Sequence, residues 1–169
     1  MIQLIPFNNK WKDFFNREKK MLLNVLKGQQ VIEVEHIGAT SVLLCETAGT
    51  IDLLCTIQNK YDLTTIKNLL VINGYQYIPS FSDLECFFFI RRNKKKQIVA
   101  TIRVVEQASL IHKQMILFKY YLREKRSHVK SYNSFREALL KNCEGDPKKY
   151  REVKGNYIAS ILNDFCKVE

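Results

Sequence analysis

Residues 35–53 read EHIGATSVLLCETAGTIDL, and how this stretch folds decides the architecture. Leading into it, residues 30–38 carry the β-branched Val31, Ile32, Val34 and Ile37 before Gly38, the pattern of a strand closed by a glycine. Thr40 and Ser41 then predict a short helix over about residues 40–46. Residues 50–57, TIDLLCTI, read as a second strand, buried on both faces apart from one acid, Asp52. A strand–glycine–hydroxyl–helix junction gathers backbone N–H groups and hydroxyls at a positive helix end, a place suited to phosphate. The plainer alternative is that Gly38 only turns the chain, Thr40 caps the helix and Asp52 pairs with an arginine.

Working outward, residues 11–26 have helical apolar spacing, with Gly28 placed to stop the helix. Residues 61–73 repeat that pattern, with Gly74 as its C-cap. Strands are expected at 75–78, 85–91 and 97–105. Between the last two, RRNKKK at 91–96 is either an exposed hairpin tip or a phosphate-gripping loop. Residues 107–125, 131–142 and 147–165 read as helices, the last opening with Asp146 as N-cap and Pro147 at N1. The expected fold is α/β: a mixed β-sheet with flanking helices, and a helical C-terminal third packed on it. Residues 1–169 are read as one domain, with a core at 1–106 and helices at 107–169 that would bury a poor core alone.

With 46% hydrophobic and 26% charged residues, the 169-residue chain has an ordinary globular composition. Its apolar runs are short, such as FFFI at 87–90, whereas a bilayer helix needs about 20 apolar residues. The first residues lack the basic and apolar regions of a secretion signal, so a cytoplasmic protein is expected. Five scattered cysteines (Cys45, Cys55, Cys86, Cys143, Cys166) without a CxxC pair fit buried thiols in a reducing compartment. The net charge is +10, of which +4 falls in residues 1–106 and +6 in residues 107–169. That asymmetry favours anionic partners, or is a solvated basic surface with no partner.

The opening block resembles the GrpB-like proteins, which have a nucleotidyltransferase-type fold and also occur joined to dephospho-coenzyme A kinase. Their pattern, roughly EHIGSTSVPGLAAKPIIDI, aligns without gaps: Glu35, His36, Ile37, Gly38, Thr40, Ser41, Val42, Ile51 and Asp52 agree. Gly74-Tyr75, Phe87-Phe88, Phe118, Tyr121-Leu122-Arg123, Tyr132 and Tyr150 with Lys154 follow in the family's order. The departures are chiefly polar. Ala39 replaces a serine, Leu43-Leu44 a Pro-Gly pair and Ala48-Gly49 a Lys-Pro pair; Thr101-Ile102-Arg103 stands for an HLH motif, and Lys119-Tyr120 for Arg-Asp.

The resemblance implies a site built from His36, Gly38, Thr40, Ser41, Asp52, Arg123 and Lys154. With Arg103 on its wall, these are expected to meet in one concave pocket. Polymerase-type nucleotidyl transfer needs two divalent ions on carboxylates two apart on a strand, but the partner position of Asp52 is Leu54. Asp52 alone would hold at most one water-rich Mg²⁺, and Arg103 would offer its fork to a phosphate. His36 is either a proton shuttle or a structural histidine; His112 and His128 are expected at the surface. The leading expectation is binding of a nucleotide or phosphorylated small molecule with weak or no catalysis. An active nucleotidyltransferase on a small phosphorylated metabolite, and a basic accessory module for RNA or a protein, are the alternatives. RNA is the less favoured partner because at least alternate rings of Phe87, Phe88 and Phe89 must enter the core.

Overall fold

The computed structural model describes residues 3–59 and 63–165. The start of the helix expected over 61–73, and Cys166, lie outside these residues. Helix α1 (Trp11–Val25) buries Trp11, Phe15, Glu18 and Leu22 along one face. Gly28 follows at φ +87°, a left-handed conformation that ends the helical segment. Strand β1 (Val31–Ile37) pairs antiparallel with β2 (Ile51–Ile57). Between them only a three-residue 3₁₀ turn forms, Ala39–Ser41, and not the helix expected over 40–46. The hydroxyls there bond locally, Ser41 Oγ donating to the Gly38 carbonyl at 2.7 Å, which offers the backbone an alternative to helix. Leu44 at φ +64° then breaks any continuation.

Helix α2 (Leu63–Ile72) leads to the short β3 (Gln76–Tyr77), a 3₁₀ turn at Pro79–Phe81, β4 (Cys86–Arg92) and β5 (Ile98–Glu106). Helices α3 (Leu110–Glu124), α4 (Arg126–Asn142) and α5 (Pro147–Phe165) complete the described chain. Asp146 caps α5 as expected, its carboxylate accepting from the N–H groups of Lys148 and Lys149 at 2.8 and 3.2 Å. The sheet order is β1-β2-β5-β4-β3, mixed because β2 and β5 run parallel while every other pair is antiparallel.

Helices cover both faces. On one side Leu53, Cys55, Ile102 and Val104 pack with Phe15 and Leu22 of α1 and Ile66 and Leu70 of α2. On the other, Ile37, Leu54, Cys86 and Val105 meet Ile111, Met115 and Ile116 of α3. Both Phe88 and Phe89 are buried, although neighbouring strand residues point to opposite faces. His112 and His128 are half-buried and not on the open surface: His128 stacks on Tyr121 at 4.0 Å and bonds its carbonyl at 2.7 Å.

At the β4–β5 hairpin, Lys94, Lys95 and Lys96 form an exposed tip. Arg91 leaves that tip and turns inward, its Nε donating to Glu18 Oε2 at 2.6 Å while Nη2 donates to the other carboxylate oxygen. The Glu18 side chain is only 9% exposed, so this pair ties α1 to β4 across the sheet face they share. Glu18→Ala would strand a half-buried guanidinium and should cost about 2 kcal/mol, less than a wholly buried pair because Arg91 is 27% exposed. A urea denaturation midpoint unchanged from the parent would contradict that role.

Candidate functional site

Register decides which side chains can meet. Ile37 is the cross-strand partner of Asp52, and His36 pairs with Leu53. Side chains alternate along a strand, so Asp52 faces the α3–α5 side while His36 faces α1. The single pocket expected from the sequence therefore divides in two. Gly38, Asp52, Arg103 and Lys154 line one cavity, and His36, Thr40, Ser41 and Arg123 line another.

The second concavity opens at the β1 edge, where the His36 ring, the Thr40 and Ser41 hydroxyls and the Arg123 guanidinium are already engaged with the protein. The His36 ring stacks on Phe15 at 4.6 Å, and its Nε2 lies 2.8 Å from Thr40 Oγ1. Thr40 also donates to the Thr50 carbonyl at 3.4 Å, and Arg123 Nη2 donates to the Ser41 carbonyl at 2.6 Å. Burial, then Lys119 and Arg123, push the His36 pKa down from 6.5 to about 4.

The first cavity, of about 370 Å³, lies between the sheet and helices α3, α4 and α5. Asp52 forms its floor. Thr101 donates to Asp52 Oδ1 at 2.5 Å, and the other carboxylate oxygen occupies the space where a Gly38 side chain would stand. Around this acid stand Arg103 from β5 and Arg151 and Lys154 from α5. Aromatic rings hold the two guanidinium groups: Arg103 lies 4.8 Å from the Phe88 ring, and Arg151 3.4 Å from Phe81. The two rings are themselves 5.5 Å apart, so the stack runs from β5 through β4 to α5.

Behind the cavity Arg136 is 4% exposed, and no carboxylate pairs with it among the described residues. It donates to the Glu46 carbonyl at 2.6 Å and to Asn133 Oδ1 at 2.8 Å, and it lies over the Tyr132 ring. Burial pushes the Tyr132 phenol pKa up and the Lys154 ammonium pKa down; Asp52 opposes the latter, while Arg103, Arg136 and Arg151 reinforce it. Sequence reading missed Arg136, Arg151, Tyr132 and Gln114 as parts of this cavity and its surroundings. Arg151 was accessible to it, since positions 151 and 154 share a helical face. Tyr132 already matched the family's order of motifs. No pattern in the sequence marks Arg136 or Gln114.

The donor set does not fit the two-ion centre of a polymerase-type transferase. Beside Asp52, across the β2–β5 register, stand Thr101, Leu54 and Arg103, and among the described residues no group of three His, Cys, Asp or Glu could hold a metal. A single Mg²⁺ fits poorly too: one carboxylate oxygen takes the Thr101 hydroxyl, and the flanking cations oppose a positive ion.

Two predictions test this geometry. Gly38 has φ +70°, and an added Cβ would collide with the Asp52 carboxylate, whose Cγ would be 3.1 Å away. Gly38→Ala should therefore destabilise the fold by about 2 kcal/mol or more, read from the urea midpoint. For His36, the unfolded state takes a proton near pH 6.5 that the folded state refuses until about pH 4. Stability should fall by on the order of 3 kcal/mol as pH drops through that window. His36→Gln should flatten that stretch of the profile. An unchanged slope would show that another group carries it.

The GrpB protein family model matches residues 1–164. The glutamate-rich protein GrpB of Alkalihalophilus pseudofirmus is 25% identical, with 95% of this chain and 94% of that relative covered. The UPF0157 protein YqkA of Bacillus subtilis is 24% identical over 93% of this chain but only 45% of its own length. The crystal structure of GrpB from Enterococcus faecalis superposes with a TM-score of 0.81 at 21% identity, covering 96% of each chain. A mutant of the Cid1 poly(U) polymerase bound to MgATP reaches a TM-score of 0.50 at 12% identity, over 70% of this chain and 38% of that one. That likeness is one of fold, and it identifies the α/β sheet with its helices as nucleotidyltransferase-like. The chain belongs to the GrpB family.

Proposed function

We propose that the cavity around Asp52 binds a nucleotide or another phosphate-bearing small molecule, with weak or no catalysis. The observation that carries this reading is the charge balance of the walls: Arg103 and Arg151 against Asp52 alone, with Lys154 beside them and Arg136 behind. A phosphate would satisfy guanidinium groups that no carboxylate pairs among the described residues. Of the expected ligand residues, Gly38, Asp52, Arg103 and Lys154 belong to this reading. His36, Thr40, Ser41 and Arg123 support the turn beside it.

An active nucleotidyltransferase is the second reading, favoured by the shared fold and opposed by Leu54 where a second acid would stand. The four described cysteines are free and buried, which suits a reducing compartment and a cytoplasmic protein. No helix among the described residues is long and apolar enough to cross a membrane.

Thermal-shift and titration measurements with nucleotides and phosphorylated metabolites, with and without Mg²⁺, test the proposal. A ligand at 100 times its Kd should stabilise the fold by about 2.7 kcal/mol, a rise in Tm of several degrees. Arg103→Ala should weaken binding about tenfold or more, the loss of one charge-assisted contact. Asp52→Asn should leave binding intact or tighten it, since one repelling charge is gone. Loss of binding in Asp52→Asn, with Arg103→Ala unaffected, would reverse the assignment.

A further inference from the structure

Lys154 lies in the middle of α5 on the wall of the same cavity. Among the described residues no hydrogen bond or ion pair holds its ammonium, which lies over the Tyr150 ring at 5.7 Å. The groups around it come from every element packed there: Asp52 from β2, Arg103 from β5, Gln114 from α3, Tyr132 and Arg136 from α4, and Arg151 from α5. Three guanidinium groups thus stand around one amine, and the single carboxylate there, Asp52, favours the ammonium while sharing one oxygen with the Thr101 hydroxyl. Desolvation and like charges both favour the neutral amine, the condition under which a lysine becomes a nucleophile. Lys119 makes the contrast, since its ammonium is paired with Glu35 at 3.2 Å.

We infer that Lys154 is a nucleophilic amine that condenses with an aldehyde or ketone carrying a phosphate group, the phosphate being held by Arg103 and Arg151. The inference rests on the anion site proposed above and adds a reaction to it. In the step, the Lys154 lone pair forms the C–N bond as the carbonyl π bond breaks. The carbinolamine oxygen collects the two protons that the nitrogen gives up and leaves as water, so a C=N bond remains. Tyr132, kept protonated by burial, lines the same cavity and supplies a hydroxyl that can donate to that oxygen.

The full chain is treated with pyridoxal 5′-phosphate as the probe. Borohydride then delivers hydride to the imine carbon and fixes the adduct, which is located by peptide mass. Lys154 should carry the dominant label at pH 7. Each unit by which its pKa lies below that of a surface lysine raises its neutral fraction about tenfold, and its labelling rate with it. Excess inorganic phosphate should suppress the reaction, and Lys154→Met, which keeps the stem without the amine, should abolish it while the chain still unfolds in one cooperative transition. Label spread over exposed lysines such as Lys94 and Lys95, or no label at all, overturns the inference. Pyridoxal lacking the phosphate separates the two claims. Equal labelling of Lys154 by both compounds leaves the amine chemistry standing and removes the anion site. Nucleotide binding without labelling does the reverse.

Discussion

Gly38 has no side chain, and the Asp52 carboxylate fills the space where one would be. That close approach sets the geometry of everything around it. It requires the turn after β1 to pass directly over β2, with Ile37 opposite Asp52. In that register Asp52 looks toward α3, α4 and α5, and Thr101 on the parallel neighbour β5 reaches one of its oxygens. A shift of one residue would carry the acid to the α1 face, into the core that Leu53 now occupies with Phe15 and Leu22. The cost of burying an unpaired carboxylate there makes the register a consequence of charge as well as of packing.

With the acid fixed, the remaining electrostatic problem is how several cations stay close together without carboxylates between them. Aromatic rings solve it. Phe88 and Phe81 lie between Arg103 and Arg151, each guanidinium resting on a ring face, so the pair is held by quadrupoles and not by opposite charge. Arg136 is held in the same manner over Tyr132 and by neutral acceptors, Asn133 and the Glu46 carbonyl. A carboxylate in any of these places would cancel the positive potential of the cavity. Rings and amides preserve it.

Much of this architecture is legible in the chain. The β-branched run before Gly38, the apolar TIDLLCTI segment and the Asp146-Pro147 opening of α5 declare their elements because local chemistry and tertiary packing agree there. The misread features are those that local chemistry does not settle. Thr40 and Ser41 look like the start of a helix, yet the Ser41 hydroxyl bonds the turn itself, the Thr40 hydroxyl reaches His36 and Thr50, and a 3₁₀ turn results. His36 and Asp52 look like members of one site because they are close in a motif. Strand alternation sends them to opposite faces, and the β1–β2 register cannot be read from either strand alone. Arg136 is invisible for a related reason, since its neighbours at residues 45 and 46 become neighbours only when α4 folds back across the sheet.

The departures from the family's pattern acquire a common meaning once the strands are in register. Thr101 and Arg103 stand where the resemblance has two histidines, and they face Asp52 and Leu54 across the β2–β5 ladder. A histidine can be neutral and can ligate a metal; an arginine can do neither near physiological pH. Replacing an imidazole by a guanidinium beside the one acid therefore disfavours a divalent ion and favours an anion at the same point in space. Positive charge is here carried by the protein itself, on Arg103 and Arg151. A metal-bound centre loses its positive charge when the ion leaves. Fixed guanidinium charge persists without any ion, and it adds to burial, the larger cause, in holding the Lys154 ammonium pKa down.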